Sequence, residues 1–437
     1  MKINIRGNRI WLPKRMQIKL SDSFIEIELK EGNKKQGFLT KLTKDGRFVI
    51  PKDIRNYLKL KFNDEIQIRV KKILNKKRGK RFTKNNKFDM LSFIPVKTMS
   101  GFDILVLEEE NKLQLWYSTK GRPGEIIINR FLPFEFSRLL GYYQAEGGKL
   151  KLNKRRGRDL SFTNKSAGMI EDFIALSKNL FDLKLWNATI RYNPNVNKKE
   201  LNRVKSLLIK FGLNSKKIKL KAADRIANYT IRLWISNSIL AEVIFNTSNK
   251  IRKYLIRLKL DSVNKIIYMN YLQGLLAGDG NFRLWVDSKG SHHSRIQIFE
   301  GKLDYVNDYK LLLEKLDIKG GIRKDKIKNL YTFDKYTNWS DLLKIFDLNL
   351  LSYSSLHQSH LIKAILNHKK YRALKYLIRL PKTFSKDYFM KINKLNRLYA
   401  NSWLRDRVEE KLLERIGNDK WVLTSEAENI KNILSKI

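Results

Sequence analysis

Two acidic residues, Glu146 and Asp279, stand at corresponding positions of two similar segments and could together do chemistry. Each acid is followed by a glycine, and the two acids lie 133 residues apart in the chain. Carboxylate oxygens are hard ligands of the kind that Mg²⁺ prefers. A divalent metal can generate hydroxide from water and stabilise a leaving oxygen during phosphodiester hydrolysis. The pair therefore predicts metal-dependent hydrolysis, with Mg²⁺ as the expected cofactor and Mn²⁺ as its substitute.

The segments that carry the acids read LLGYYQAEG and LQGLLAGDG, and both predict helices. Small residues four apart, Gly141 with Ala145 and Gly274 with Gly278, lie on one face of each helix and permit close packing of two helices. The acid falls in the last helical turn, where free carbonyls and the helix dipole favour a cation. We predict a left-handed glycine cap after each acid. We also predict that the two helices lie side by side and bring the acids within metal-bridging distance.

The elements predicted after the two helices also repeat. A strand leading into a helix is predicted from Leu160 and again from Ile296, and a second strand and helix from Asn228 and again from Asn329. The first copy is longer between these points, which predicts an insertion near residues 195–225. The repeat indicates two α/β half-domains in one chain.

The charge of the chain points to a polyanionic partner. Its 437 residues include 90 Lys and Arg against 43 Asp and Glu, a net charge of +47. Such an excess spread along the whole chain favours nucleic acid, although a basic proteome or adaptation to heat is the alternative explanation. Cysteine is absent, which excludes disulfides and thiol chemistry. Neither a signal peptide nor a membrane-spanning stretch is recognisable, so a cytoplasmic protein without membrane contact is expected.

Basic residues that follow each acid are the predicted DNA contacts, because Lys and Arg hold phosphates and Arg also reads guanine. They are Lys149, Lys151, Lys154, Arg155, Arg156 and Arg158 after the first acid, and Arg283, Lys289 and Arg295 after the second. A solvated charged hairpin is the alternative for any one of them. Lys219, Lys221, Lys324 and Lys326 are further candidates for a basic residue near the site, and the last two also for DNA contact. His357 and His360 form an H-x-x-H pair without nearby acidic or cysteine partners, which argues against a metal site there.

Both helical segments resemble the LAGLIDADG signature of homing endonucleases, and the resemblance covers residues 131–384. It implies an α+β fold with two pseudosymmetric half-domains of order αββαββα, at 131–260 and 261–384, in a monomeric chain. Their sheets would form a basic saddle that binds double-stranded DNA in the major groove. Cleavage would be site-specific and leave 3′ overhangs.

The resemblance also assigns residues. Glu146 and Asp279 occupy the catalytic, metal-binding positions, and the carbonyls of Ala145 and Gly278 are implied as further metal ligands. Gly141 and Gly274 are implied as helix-packing positions. The first segment departs from the consensus with bulky side chains at Tyr142, Tyr143 and Gln144.

The regions outside the repeat predict further modules. Residues 1–95 are predicted as a β-rich DNA-binding domain with a basic linker. Within them, about 35 residues from Gly37 resemble AbrB/SpoVT domains, on two strands joined at Asp45-Gly46, a helix Lys52–Leu58 opened by Pro51, and a strand over 65–70. Those domains are dimeric, so pairing between chains through this segment is an alternative to a monomer. Residues 75–87 are predicted as a basic linker and 96–130 as a β-rich connection. Residues 385–437 are predicted as a helical extension similar to the latter half of a winged helix.

Three functions compete on the sequence. A homing-type DNA endonuclease accounts for both acids and the charge. A DNA-binding regulator that uses the fold without cleavage accounts for the added modules, and an RNA splicing maturase accounts for the fold but does not require the acids. No splicing-type termini are recognisable, which favours a free-standing gene.

Overall fold

The computed structural model describes residues 2–5, 9–20, 24–74, 82–101, 103–119, 122–148, 159–325 and 330–437. Strands and helices alternate over most of this chain, so the fold is α+β. The chain divides into two compact units, one of residues 1–254 with 258–271 and one of residues 255–257 with 272–437. None of the described helices is long and apolar enough to cross a membrane.

The N-terminal region is a small β-domain with two short helices. Its elements are β1 (Lys2–Asn4), β2 (Arg9–Trp11), α1 (Lys14–Leu20), β3 (Phe24–Glu31), β4 (Lys34–Lys41), β5 (Arg47–Val49), α2 (Lys52–Leu58) and β6 (Glu65–Leu74). The main sheet has the order β1-β6-β3-β4, and β2 pairs with β5. Helix Lys52–Leu58 is confirmed. The predicted hairpin across Asp45-Gly46 is wrong, because β4 pairs with β3 and β5 pairs with β2.

The residues that lead to the first half-domain form further small sheets. Their strands are β7 (Thr83–Lys84), β8 (Lys87–Asp89), β9 (Leu105–Glu109), β10 (Lys112–Thr119), β11 (Arg122–Asn129) and β12 (Phe131–Leu132). Strands β9, β10 and β11 form an antiparallel meander, as the alternating pattern predicts for this region. The predicted linker over 75–87 is wrong in its second part, since β7 pairs with β8 there; residues 75–81 lie outside the described residues.

The first half-domain follows in the same unit. Its elements are α3 (Phe136–Glu146), β13 (Leu160–Asn164), α4 (Ala167–Ser177), β14 (Asn187–Tyr192), α5 (Lys198–Lys210), β15 (Ile218–Ala222), β16 (Tyr229–Ile235) and α6 (Ser238–Arg257). The sheet order is β13-β16-β14-β15, and β15 runs parallel to β14 at one edge. The predicted insertion is confirmed as α5 and β15, which have no counterpart among the described elements of the second half-domain.

The second half-domain repeats this order without α5 and β15, and it has one strand, β17, before the strand that corresponds to β13. Its elements are α7 (Ser262–Gly278), β17 (Gly280–Val286), β18 (His292–Glu300), α8 (Leu303–Glu314), β19 (Gly321–Asp325), β20 (Leu330–Tyr336) and α9 (Trp339–Asp347). The order αββαββα is therefore present, and the sheet order is β17-β18-β20-β19. Asn338 starts α9 with a capping box, as the polar residue before that helix predicts.

The C-terminal region begins with two helices and ends in a mixed module. Its elements are α10 (Ser355–Asn367), α11 (Lys369–Leu374), β21 (Thr383–Ser385), α12 (Lys386–Asn393), α13 (Arg397–Glu409), β22 (Leu413–Gly417), β23 (Lys420–Leu423) and α14 (Ser425–Leu434). Helix α10 packs on β17 and β18, and α14 packs on α9. The module is thereby joined to the second half-domain.

Candidate functional site

Glu146 is the last residue of α3, where the helix leaves its final carbonyls free. Its side chain is half-buried, and burial raises the pKa of the carboxyl group. The Asn164 Nδ2 group at the end of β13 donates a hydrogen bond of 3.4 Å to Glu146 Oε1. A bound cation would favour the charged carboxylate that burial disfavours, so this environment suits a metal ligand.

Asp279 occupies the corresponding place after α7. Its backbone N–H donates to the carbonyl of Leu275 at 3.0 Å, so the residue still belongs to the last turn of the helix. Strand β17 begins at the next residue, Gly280. Both acids thus lie at the end of a helix, as the sequence predicts, and in the second half-domain the next residue begins a strand.

The glycines after the acids have a different role from the one predicted. Gly147 is extended, with φ −74° and ψ 149°, and Gly280 is the first residue of a strand, so the predicted left-handed cap is wrong. A Cβ atom at Gly147 would lie 2.3 Å from the carbonyl oxygen of Tyr143, and one at Gly280 would lie 2.2 Å from that of Leu276. The chain leaves each helix so tightly that only glycine fits at this position.

The glycines also define which residues of the two half-domains correspond. Gly147 pairs with Phe162 of β13, and Gly280 pairs with Ile298 of β18. The glycine after each acid is thus paired with the corresponding strand of its sheet, β13 in the first half-domain and β18 in the second.

The bulky residues of the first segment fasten α3 to its neighbours. Arg138 forms an ion pair with Asp172 of α4, at 2.6 and 2.9 Å, and Tyr142 OH donates to the same carboxylate at 3.0 Å. The buried Gln144 Oε1 accepts hydrogen bonds from Ser248 at 3.2 Å and Arg252 at 3.0 Å, both on α6. These contacts fix the helix that presents Glu146.

The donor atoms available at the acids fit a hard divalent cation. Carboxylate and carbonyl oxygens are the ligands of Mg²⁺ and Mn²⁺. Among the described residues, no cluster of three or more His, Cys, Asp or Glu side chains could hold a metal ion. Each acid would consequently depend on main-chain carbonyls, water or phosphate oxygens for the remaining ligands.

The sheet of the second half-domain has one polar, basic face. Arg283 of β17 and Arg295 of β18 are cross-strand neighbours, and Tyr336 of β20 continues the row. The Arg295 guanidinium lies over the rings of Trp285 and Tyr336, at 5.5 and 6.0 Å from their centroids. Arginine with aromatic neighbours on an accessible sheet face can contact phosphates and base edges.

A buried carboxylate organises this face. Asp334 of β20 is about 1% exposed, and its Oδ2 lies 3.0 Å from Arg323 and 3.8 Å from Arg295. The buried carboxylate thus lies within ion-pair distance of both guanidinium groups, although neither of its oxygens accepts a hydrogen bond among the described residues. Arg323 lies on the same face as the row Arg283, Arg295 and Tyr336, and we call these four residues the second polar face.

The first half-domain has a corresponding basic face. Arg232 of β16 pairs with Thr189 of β14, which pairs with Lys219 of β15. In the next row of the same face, Arg191 pairs with Lys221. Both lysines lie on the inserted strand β15, which thus widens this face. We call Arg191, Lys219, Lys221 and Arg232 the first polar face.

The predicted DNA contacts fall into three groups. Arg283 and Arg295 lie on the second polar face, and Lys289 is exposed in the turn between β17 and β18. Lys324 lies on the opposite face of β19 from Arg323, with its Nζ 5.6 Å from the ring centroid of Tyr331. The remainder lie outside the described residues: Lys149, Lys151, Lys154, Arg155, Arg156, Arg158 and Lys326.

Three arginines of these faces were not among the predicted contacts: Arg191, Arg232 and Arg323. The signal was available, because alternate residues of a strand share a face. To use this alternation, one must know which strands pair with each other. The insertion of α5 and β15 also makes it hard to see which strands of the two half-domains correspond.

His357 and His360 of α10 make no metal cluster with the described acids. His360 Nδ1 lies 3.2 Å from the carbonyl oxygen of Phe282, which joins α10 to β17. His357 is partly buried, and burial together with the nearby His360 lowers the pKa of its ring. The pair is placed where it serves packing.

Comparison with solved structures gives partial likenesses. Mesophilic variants of the homing endonuclease I-DmoI are 19% identical, with a TM-score of 0.29, covering 48% of this chain and 88% of that one. I-DmoI in complex with DNA and Mn is 16% identical, with a TM-score of 0.28, covering 50% and 96%. The meganuclease I-SmaMI bound to uncleavable DNA is 14% identical, with a TM-score of 0.31, covering 54% and 91%. No protein-family model and no curated protein matches the chain.

Proposed function

We propose that the chain is a site-specific endonuclease that hydrolyses double-stranded DNA with a divalent metal ion. The observation that carries the proposal is the repeated order of helix, acid and tightly placed glycine at Glu146 and Asp279, with the glycine paired to the sheet in both half-domains. The sheet of each half-domain also has a basic surface, the first or the second polar face. A carboxylate that holds a divalent metal ion near a bound phosphate would supply the activated water of metal-dependent phosphodiester hydrolysis.

In this proposal the two acids act as metal ligands, each serving one DNA strand. Mg²⁺, or Mn²⁺ in its place, would activate water and offset the negative charge of the scissile phosphate. The carbonyls of Ala145 and Gly278, at the ends of the same helices, are proposed as supporting ligands. The expected product has 3′ overhangs.

The polar faces hold the substrate. Arg191, Lys219, Lys221 and Arg232 on one sheet, and Arg283, Arg295 and Arg323 on the other, would bind phosphates and guanine edges. Binding and chemistry thus depend on different residues and can be separated by mutation.

The test compares cleavage with binding in Asp279→Asn and Glu146→Gln. The target is first selected from a random duplex library by the full-length protein in Ca²⁺. We expect each variant to lose cleavage in Mg²⁺ by at least ~100-fold, while its affinity for the selected duplex stays within a few-fold of wild type. Both substitutions are nearly isosteric, and the basic faces remain.

The matched acid-to-amide control is Asp304→Asn, which changes an exposed acid in the first turn of α8, away from the junctions. It should cleave like wild type. A wild-type protein that binds one site tightly and never cuts it in Mg²⁺ or Mn²⁺ would overturn the endonuclease and favour a binding regulator.

A further inference from the structure

The last 55 residues contain a helix pair followed by a β-hairpin. Helix α12 ends at Asn393, a three-residue turn follows, and α13 begins at Arg397. Strands β22 and β23 then form the hairpin, and β21, which precedes α12, pairs with β23. The sheet order β21-β23-β22 with the helix pair between β21 and β22 is the topology of a winged helix-turn-helix.

The helix pair has its own aromatic core. The rings of Phe389 in α12 and Trp403 in α13 lie 4.5 Å apart, and Phe384 of β21 stacks on Trp421 of β23. The Asn396 side chain caps α13 by accepting from the N–H of Tyr399 at 2.8 Å. The two helices are therefore fixed against each other and against the sheet.

The other side of α13 has no cover among the described residues. Leu398 is 83% exposed, the largest value among the exposed apolar side chains. Asn401, Ser402 and Arg405 are exposed at the helical spacing that places them on the same side. An apolar side chain flanked by Asn and Arg matches the groups that recognise thymine methyl, adenine and guanine edges.

Positive charge is concentrated at this helix pair. Residues 386–405 contain five basic residues and one acidic residue, whereas residues 406–437 contain six basic and seven acidic. The first turn of α13 carries no acid. The exposed Lys391 and Lys394 lie on the last turn of α12 and in the turn before α13. A polyanion would thus approach the N-terminal half of α13.

We propose that α13 is a recognition helix that binds the major groove of double-stranded DNA, as a contact separate from the two polar faces. Its N-terminal residues would read base edges, as second helices of helix-turn-helix pairs do. This inference rests on the proposed function only in taking DNA as the partner. It does not involve the acids.

The hairpin after α13 would flank the same DNA. Arg415 of β22 donates to the carbonyls of Gly417 at 3.0 Å and Asn418 at 2.7 Å, so its guanidinium stiffens the turn. Ile416 and Lys420 remain exposed on the hairpin. Lys420 is therefore the phosphate contact that the wing offers.

The module is attached firmly to the second half-domain. Helix α14 packs on α9, and Lys436 Nζ lies 3.3 Å from Asp347 at the end of α9. The Trp403 indole N–H donates to the carbonyl of Ala373 in α11 at 2.5 Å. DNA bound by α13 would therefore stand in a fixed relation to the DNA bound by the second polar face, which predicts a second block of specified sequence at a set spacing.

The experiment uses the full-length chain and duplexes selected from a random library in Ca²⁺. The selection is repeated with Asn401→Ala/Arg405→Ala and with the control Lys382→Ala/Asn429→Ala, which removes one Asn and one cation beside α14. Wild type and control should select two blocks of sequence. The α13 variant should select one block, bind the two-block duplex about 10- to 100-fold more weakly, and show a shorter footprint.

Equal affinity, equal footprint and an unchanged selected sequence for the α13 variant would overturn the inference. Its failure is distinguishable from failure of the proposed function, because the readout is binding in Ca²⁺ and not cleavage. A protein that never cuts DNA but loses the second block in the α13 variant would support this contact. A protein that cuts DNA and selects one block in every case would refute it.

Discussion

The two half-domains share the junction at the acid but differ in what surrounds it. Asn164 donates to Glu146 in the first, and the corresponding position in the second is Glu300, a buried carboxylate that accepts from its neighbour's N–H at 2.7 Å. Arg138 and Asp172 form an ion pair in the first half-domain. The residues at the corresponding positions of the second half-domain are Tyr271 and Asp308. The backbone of the junction is thus shared by the two copies while the side-chain chemistry differs, so the two acids have unequal environments.

The largest effect is expected from removing the ion pair that joins α3 to α4, which is found only in the first half-domain among the described residues. Arg138→Ala should lower the free energy of unfolding by about 3–5 kcal/mol, because it leaves the Asp172 carboxylate without its cation in a largely buried setting. Denaturant unfolding measures the loss. The exposed Arg191→Ala is the matched control and should cost no more than about 0.5 kcal/mol. Equal losses in the two variants would show that the ion pair does not hold the helix.

The second prediction tests the two sides of the second sheet. Arg295→Ala should weaken binding to the selected duplex by about 1–3 kcal/mol, since the side chain lies on the polar face between Trp285 and Tyr336. Lys324→Ala removes a cation from the opposite side of the sheet and should have a much smaller effect. A fluorescence titration in Ca²⁺ at fixed salt measures both. The reverse order of effects would place the DNA on the other side.

The two acids and their helices could be predicted from the sequence, whereas the residues that make up the two polar faces could not. The acids, the helices before them and the strands after them follow from local patterns and from their repetition. The role of Gly147 does not, because the close approach of its Cα to the Tyr143 carbonyl depends on how tightly the chain enters the strand. Arg323 was missed for a related reason: which residues share its face is decided by the pairing of β19 with β20, which brings it to Asp334, a partner that no local pattern indicates.

The third prediction concerns the insertion, which widens only the first polar face. If Lys219 and Lys221 each contact a phosphate, Lys219→Ala/Lys221→Ala should make the slope of log affinity against log salt shallower by about two. The control Lys178→Ala/Lys210→Ala removes two exposed lysines from the ends of α4 and α5, away from that face. Its slope should match that of wild type. An equal change in both double variants would mean that overall charge, and not the inserted strand, sets the salt dependence.

The smallest expected effect is a pH dependence of stability that arises at α10. Burial and the neighbouring His360 lower the pKa of His357, and its Nδ1 has no hydrogen-bond partner among the described residues. As the pH falls below about 6.5, the ordinary value for histidine, the unfolded chain takes up a proton that the folded chain resists. The free energy of unfolding should therefore decline from pH 7 towards pH 5. The free energy of unfolding of His357→Gln should decline less over this range. That of His292→Gln, which removes an exposed ring in β18, should decline as in wild type. If the free energy of unfolding of His357→Gln instead declines as steeply as that of wild type, the acid sensitivity arises elsewhere. The fold would then not favour the neutral form of the His357 imidazole.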